Sequence, residues 1–319
     1  MEGKAILSVQ DAGFSYPGRT ALESIRFEVG SGETFALLGP NGSGKTTLFR
    51  ILATLLPVQK GHIRIGECCL VNDPAGVRSQ IGVVFQAPSL DKKLKVIENL
   101  RYQGMLYGLS GRELADRVSR ALERLRISDR AQDPVERLSG GLQRRVEIAK
   151  SLLHKPRLLI LDEPSTGLDP RARRELWETL AELNRSEGMT LLVTTHLMEE
   201  ADLCGRVMIL DRGRIVALDT PGALRRNVSS EVITLRGDDL EGLNAEIRTK
   251  LSLTGQVRAG TLRVETRPGA EDRLIRQDLQ RILETFGSRV HSVTLSRATL
   301  EDVFMKMTGR SFESGEGAE

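Results

Sequence analysis

Apolar residues over positions 4–38 come in short runs broken by Gly and Pro, a pattern that predicts β-hairpins. The run ETFALLG reads as a buried strand ending at Gly39, and KTTLFRILATLL directly after it reads as an amphipathic helix. Two further continuous apolar runs, RLLILD and TLLVTTH, have strand length and β-branched content. The helical stretch RARRELWETLAELNRSEG separates them. Strands that alternate with helices predict an α/β fold with a parallel sheet covered on both faces. Residues 90–150 read as mostly helical, with a clear 3.6-residue period in RELADRVSRALERLRI.

After residue 225 the pattern changes. EVITLRG alternates, LEGLNAEIRTKLSL is helical, GQVRAG and TLRVETR form a hairpin, DRLIRQDLQRILETFG is helical and RVHSVTLSR is a strand. The order βαββαβ predicts a small ferredoxin-like α+β module. The expected organisation is therefore a larger domain over 1–225, an accessory module over 226–310 and a disordered tail over 311–319. No internal repeat is present.

Composition narrows the picture in three ways. The 319 residues suffice for two domains, at roughly 100–200 residues each. Lys and Arg number 46 against 43 Asp and Glu, and aromatic residues make up 4%, so neither a basic stripe nor stacking platforms for nucleic acid are expected. No nucleic-acid partner is expected. The N-terminal stretch lacks the apolar core of a secretory signal, and no apolar run approaches the roughly 20 residues that span a bilayer. The expectation is a cytoplasmic protein whose membrane role, if any, needs a partner. Cys68, Cys69 and Cys204 lack metal-ligand spacing and read as free thiols in a reducing compartment.

The chemistry sits between the first buried strand and the first helix. Gly39, Pro40, Asn41, Gly42, Ser43, Gly44, Lys45 and Thr46 match GxxxxGK[ST] in the strand–helix context that the motif requires. The glycines let successive N–H groups turn toward one point, and the helix N-terminus adds its dipole, so phosphates bind there. Lys45 would reach the phosphates and the Thr46 hydroxyl would bind Mg²⁺. LLILDEP supplies carboxylates: Asp162 to hold Mg²⁺ and Glu163 to align or deprotonate the attacking water. A second anion-binding helix N-terminus follows at LSGGLQRR, where Ser139 is a good N-cap and Gly140 and Gly141 leave the backbone open. One set of phosphates has no need of two such ends on one chain. A simple account is that two copies sandwich two ATP molecules.

With the phosphate cradle, LSGG and LDEP in this order, the chain resembles the ABC ATPase family over about residues 4–225. The resemblance implies a P-loop NTPase with a RecA-like parallel core, an antiparallel β subdomain and a helical subdomain. It assigns Tyr16 to the adenine ring, although Tyr16 alone would read as a core or turn residue. It assigns Gln86 to Mg²⁺, the attacking water and the relay to a membrane subunit. It makes Ser165–Asp169 the loop that communicates across the dimer, and His196 a contact of the γ-phosphate. Thr47, Gln143 and Asp169 join the nucleotide-contacting set on the same ground. Glu163 is intact, which implies a hydrolysis-competent site. Lys95 stands where relatives often have Thr, which touches partner contact and leaves the chemistry alone.

A single cassette without heptads argues against the translation-factor and chromosome-repair branches. ATLLPVQKGHIRIG, PSLDKKLKVIENL, TTHLMEEAD and ATLEDVFMKMTGR resemble the daunorubicin-resistance type of export ATPase. LEDVFMKM also reads simply as an amphipathic helix that packs Leu300, Val303, Phe304 and Met307 inward. The resemblance implies an ATP- and Mg²⁺-dependent ATPase, paired with a second copy and with separate permease subunits at the cytoplasmic face of the membrane. Its cargo would be a drug, lipid or glycan. Two rivals stay open: a non-transport ABC switch, and a nucleic-acid-linked ATPase.

Overall fold

A computed structural model describes residues 5–228, 231–258, 260–265 and 272–312. The chain divides into two units, Met1–Val216 and Ala217–Glu319.

In the first unit, β1 (Ala5–Tyr16) and β2 (Arg19–Gly30) form the expected antiparallel hairpin, turned at Gly18 with φ 78°. The chain then leaves that sheet. β3 (Thr34–Leu38) is apolar after Thr34 and almost wholly buried, and α1 (Lys45–Leu52) follows it. β4 (Lys60–Ile65) and β5 (Cys68–Cys69) return to the hairpin and complete a sheet of order β2-β1-β4-β5. After α2 (Pro74–Gln80), β6 (Ile81–Val84) opens the second half of the core.

The stretch expected to be helical holds α3 (Val96–Leu106), α4 (Gly111–Arg124) and α5 (Gly140–Leu152), joined by two single-turn 3₁₀ segments. In α4 the 3.6-residue stripe Leu114, Val118, Ala121 and Leu122 is buried, and the rest of the helix faces water. The N–H of Lys95, which precedes α3, is accepted by Glu98 at 2.8 Å. Lys95 has no acceptor to return, so only half of a capping box forms, which a Thr there would complete.

β7 (Leu158–Asp162), α6 (Pro170–Glu187), β8 (Thr190–Thr195), α7 (Met198–Ala201), β9 (Arg206–Asp211) and β10 (Arg214–Asp219) complete a sheet of order β10-β9-β3-β8-β7-β6. β9, β3, β8, β7 and β6 run parallel. Every residue of β7 and β8 is buried, as continuous apolar runs in a covered parallel sheet require. The order β3-β8-β7-β6 has one functional consequence. The residues that follow each strand, Gly39, His196, Glu163 and Phe85–Gln86, emerge side by side at the carboxyl edge, where open α/β sheets bind ligands.

In the second unit, α8 (Pro221–Val228) precedes β11 (Glu231–Gly237), α9 (Leu240–Leu251), β12 (Thr254–Arg258), β13 (Thr261–Glu265), α10 (Asp272–Phe286) and β14 (Val290–Arg297). The sheet order β12-β13-β11-β14, with antiparallel pairs, is the ferredoxin-like arrangement that the βαββαβ pattern predicts. Ile233, Leu235, Ile247, Leu262 and Phe286 form its core. In the closing helix α11 (Leu300–Thr308), Thr299 and Asp302 make a full capping box. Leu300, Val303 and Phe304 are buried as expected, but Met307 is 47% exposed. The helix ends one residue later, so its last turn runs past the buried stripe. Phe312 rests edge-on against Phe304, while residues 313–319 of the expected disordered tail lie outside the described residues.

Candidate active site

At two points the cradle backbone leaves no room for a side chain. A Cβ at Gly39 would lie 2.4 Å from the Leu210 carbonyl oxygen. Gly44 has φ 110°, and its Cβ would meet the Ala21 carbonyl oxygen at 2.8 Å. α1 starts directly behind, with no side chain capping its first N–H groups, so the free N–H groups and dipole face the cleft. Tyr16, Asn41, Lys45, Thr46, Thr47 and Glu163 line this cleft of about 180 Å³. Lys45 is 4% exposed and its Nζ donates to the carbonyls of Gly39 at 2.6 Å and Pro40 at 3.0 Å. Burial holds its pKa below the ordinary lysine value, against the pull of Glu163 and Asp162. The buried Ser43 hydroxyl has no hydrogen-bond partner among the described residues. An anion with several acceptor oxygens fits this donor set. Tyr16 stands at the rim, with Phe14 edge-on at 5.0 Å, and is 38% exposed. Arg19, which sequence reasoning missed, also lines the cleft and donates to the Gly42 carbonyl at 3.3 Å.

The carboxyl edge of β7 carries the two acids. Asp162 is 7% exposed and accepts a hydrogen bond of 2.5 Å from Thr194 Oγ1. Burial raises its pKa above the ordinary carboxylate value in spite of that bond. A carboxylate held dry in this way, near Lys45, suits a hard cation, and with the Thr46 hydroxyl lining the cleft the oxygen donors fit Mg²⁺. Glu163 has φ 43°, a left-handed backbone rare for a long side chain. Its N–H donates to the Thr194 carbonyl at 3.1 Å and to Thr194 Oγ1 at 3.0 Å. Its Oε2 gathers three partners: Thr166 Oγ1 at 3.1 Å, Gln86 Nε2 at 3.4 Å and His196 Nδ1 at 3.1 Å. The histidine approach is close but off the line of a hydrogen bond. Residues far apart in the chain thus converge on one oxygen.

The raised pKa of Asp162 makes a stability prediction. The fold favours its protonated form, so ionisation costs stability as pH rises above the ordinary value of 3.8. Asp162→Asn keeps the acceptor for Thr194 and removes that cost. The nucleotide-free variant should melt higher than wild type at pH 7, with the gain shrinking as pH falls toward 3.8. An equal or lower melting temperature at pH 7 would mean that burial does not penalise the ionised Asp162.

Ser139, Gly140, Gly141, Gln143 and Asp169 do not line this cleft. Ser139 caps α5 by accepting from the Leu142 N–H at 3.4 Å. The Gln143 amide donates to the Val135 and Leu138 carbonyls at 3.3 and 3.0 Å and so fixes the loop that leads into LSGG. Asp169 is the N-cap of α6, accepting from Arg171 and Ala172 at 3.0 and 2.9 Å. A Cβ on Gly141 would sit 3.0 Å from that of Ala172, so the start of α5 packs against the start of α6.

Sequence reasoning also missed the groups behind the site. Thr194 serves both acids. Glu200 is 2% exposed; it accepts from Ser165 and, at 2.6 Å, from Thr195, and so joins the loop after Glu163 to the strand before His196. Threonines inside the apolar run TLLVTT were a readable signal. Nothing in MEEA distinguishes Glu200 from the neighbouring Glu199.

Comparison with known proteins bears on the fold and the family. The family model described as ABC transporter matches residues 22–166. Over 310 residues the chain is 39% identical to the Nod factor export ATP-binding protein I of Cupriavidus metallidurans, covering 96% of this chain and 98% of that protein. It is 36% identical to the daunorubicin resistance ATP-binding protein DrrA2 of Streptomyces coeruleorubidus, covering 95% of each. Among solved structures, cbiO1 from Clostridium perfringens, part of the ABC transporter complex cbiONQ, superposes with a TM-score of 0.65 at 29% identity. It covers 78% of this chain and 96% of that one. The post-hydrolysis dimer of the cassette MJ0796, bound to ADP and Pi, gives 0.60 at 26% identity over 67% of this chain and 98% of that one. The parallel sheet, the cradle and the end-to-end likeness make one case: this chain belongs to the ABC transporter family, among its ATP-binding ATPases.

Proposed function

We propose that the chain powers export through a separate permease, with two copies closing on two ATP molecules. The observation that carries the catalytic half is the convergence of Gln86, Thr166 and His196 on the Glu163 carboxylate beside the cradle. In this reading Tyr16 stacks on the base. Lys45, Thr46, Thr47 and the backbone of residues 39–44 hold the phosphates. Thr46, Asp162 and Gln86 would hold Mg²⁺, which would supply the charge neutralisation that phosphoryl transfer needs. Glu163 aligns the attacking water, and His196 stabilises charge on the γ-phosphate. Ser139 and the N–H groups of Gly140 and Gly141 serve the nucleotide of the partner copy. Their absence from the chain's own cleft and the dimeric form of the MJ0796 relative support this.

The export half rests on relatives whose likeness extends through the second unit, 96% of this chain for the Nod factor export protein. Their names favour an amphiphilic or glycan cargo. No described helix is long and apolar enough to cross a membrane, and in this reading the permease supplies the path. Tyr102, Met105 and Leu106 on α3 are 54–83% exposed, an apolar face beside the segment that starts at Gln86 and one suited to a permease loop at the cytoplasmic side of the membrane. The test is a detergent pull-down of tagged Glu163→Gln protein with ATP. A polytopic membrane protein is the expected companion. Recovery of only soluble proteins or nucleic acid would overturn the transport reading and leave the ATPase.

A further inference from the structure

Arg144 lies in the second turn of α5 and is 7% exposed. All three guanidinium nitrogens donate to backbone carbonyls: Nε to Pro164 at 2.7 Å, one terminal nitrogen to Phe85 at 2.5 Å and the other to Glu163 at 3.2 Å. These carbonyls belong to the residue before Gln86, to Glu163 itself and to the residue after it. Only a planar fork with several fixed donors spans three acceptors in this way; an ammonium is a point. Glu147, 3% exposed and 3.6 Å away, keeps the buried cation paired. Glu147 also accepts from the N–H and hydroxyl of Ser89 at 2.6 and 3.0 Å, and Lys150 donates to the Ser89 carbonyl at 2.8 Å. One face of α5 therefore grips both ends of the Phe85–Ser89 segment and the backbone of Glu163.

Stability alone does not call for such a clamp. A buried ion pair is often matched or bettered by apolar residues of similar volume. What the clamp does hold is the left-handed backbone at Glu163, φ 43°, which the side chain alone would not favour. The N-terminus of the same helix carries Ser139, Gly140 and Gly141.

We propose that Arg144 is a positioning residue that makes α5 a lever. Movement of α5 when its N-terminus meets the partner's nucleotide is passed to this copy's own Glu163 and Gln86. The two ATP sites are thereby coupled through one side chain. The lever rests on the sandwich reading above; the clamp itself does not.

The test compares the full chain with Arg144→Lys and Arg144→Met. The readouts are ATPase kcat, affinity for a trinitrophenyl ATP analogue, melting temperature and backbone hydrogen exchange. Arg144→Lys should lower kcat by about 10- to 100-fold, the scale of a small misplacement of a reacting group. Analogue affinity should stay within about twofold, since the cradle is untouched. Exchange should quicken at residues 85–89 and 163–165 and stay unchanged in the cradle. Wild-type kcat and exchange in a folded Arg144→Lys protein would overturn the proposal. If Arg144→Met fails to fold, Arg144→Lys still decides, because it keeps charge and bulk. A separate arm adds ATP to Glu163→Gln protein. If exchange at residues 139–143 does not slow, the sandwich reading and with it the lever fail, while the exchange data still decide the clamp. If it slows there, the same arm with Arg144→Lys added should lose the accompanying response at residues 163–165, and an undiminished response would overturn the lever.

Discussion

Glu163→Gln should cut ATP hydrolysis by about 10²- to 10⁴-fold, the usual contribution of a positioned base, while ATP affinity stays close to wild type. The substitution is nearly isosteric. The backbone bonds to Thr194 do not involve the side chain, and φ 43° is no harder for Gln than for Glu. What disappears is the negative oxygen on which Gln86, Thr166 and His196 converge. In the proposed reading phosphate binding falls to Lys45 and the start of α1, so it should survive. The measurement is steady-state phosphate release beside equilibrium binding of an ATP analogue. A variant that turned over at the wild-type rate would remove Glu163 from the chemistry and leave the water to another group.

Lys45→Ala should act on the other limb of the cycle. A charged hydrogen bond is worth about 1.5–3 kcal/mol, so ATP affinity should weaken by about 10- to 100-fold. The fold should tolerate the change. Burial already works against the lysine's charge, and its hydrogen bonds go to two carbonyls of its own loop. Melting temperature without nucleotide should therefore move little, whereas the stabilisation that added ATP confers should largely vanish. Unchanged affinity would mean that Lys45 stays folded onto Gly39 and Pro40 when nucleotide binds. The two variants form a contrast: one binds and does not turn over, the other fails at binding.

Much of this was legible along the chain. GxxxxGK[ST] is legible because its chemistry is local: 8 residues make a glycine-dependent turn that links a buried strand to a helix N-terminus. Asp162 and Glu163 were legible only beside the cradle, because an ion-paired Asp-Glu at a strand end explains the same residues equally well when they stand alone. The ferredoxin-like module was legible from alternation and helical period. Met307 was misread, because periodicity marks a face and does not say how far along it the packing extends. Arg144 and Glu200 were illegible. A buried arginine looks like an exposed one in sequence, and carbonyl acceptors carry no residue identity at all.

The sequence by itself determined which groups this protein has: the phosphate cradle, the acids, Gln86, His196 and a second helix N-terminus at LSGG. The cradle and the LSGG end are set by near-neighbour backbone chemistry, whereas Gln86 and His196 were implied by the family resemblance. Only the tertiary structure decided which of them meet. The strand order β3-β8-β7-β6 brings Gly39, His196, Glu163 and Gln86 to one edge, and no local pattern encodes that order. It also separated Ser139 and Asp169 from the chain's own cleft, and it turned Arg144 inward onto three carbonyls. Spacing along a chain is set by covalent geometry, whereas convergence depends on which faces bury against each other, and burial is a property of the folded whole.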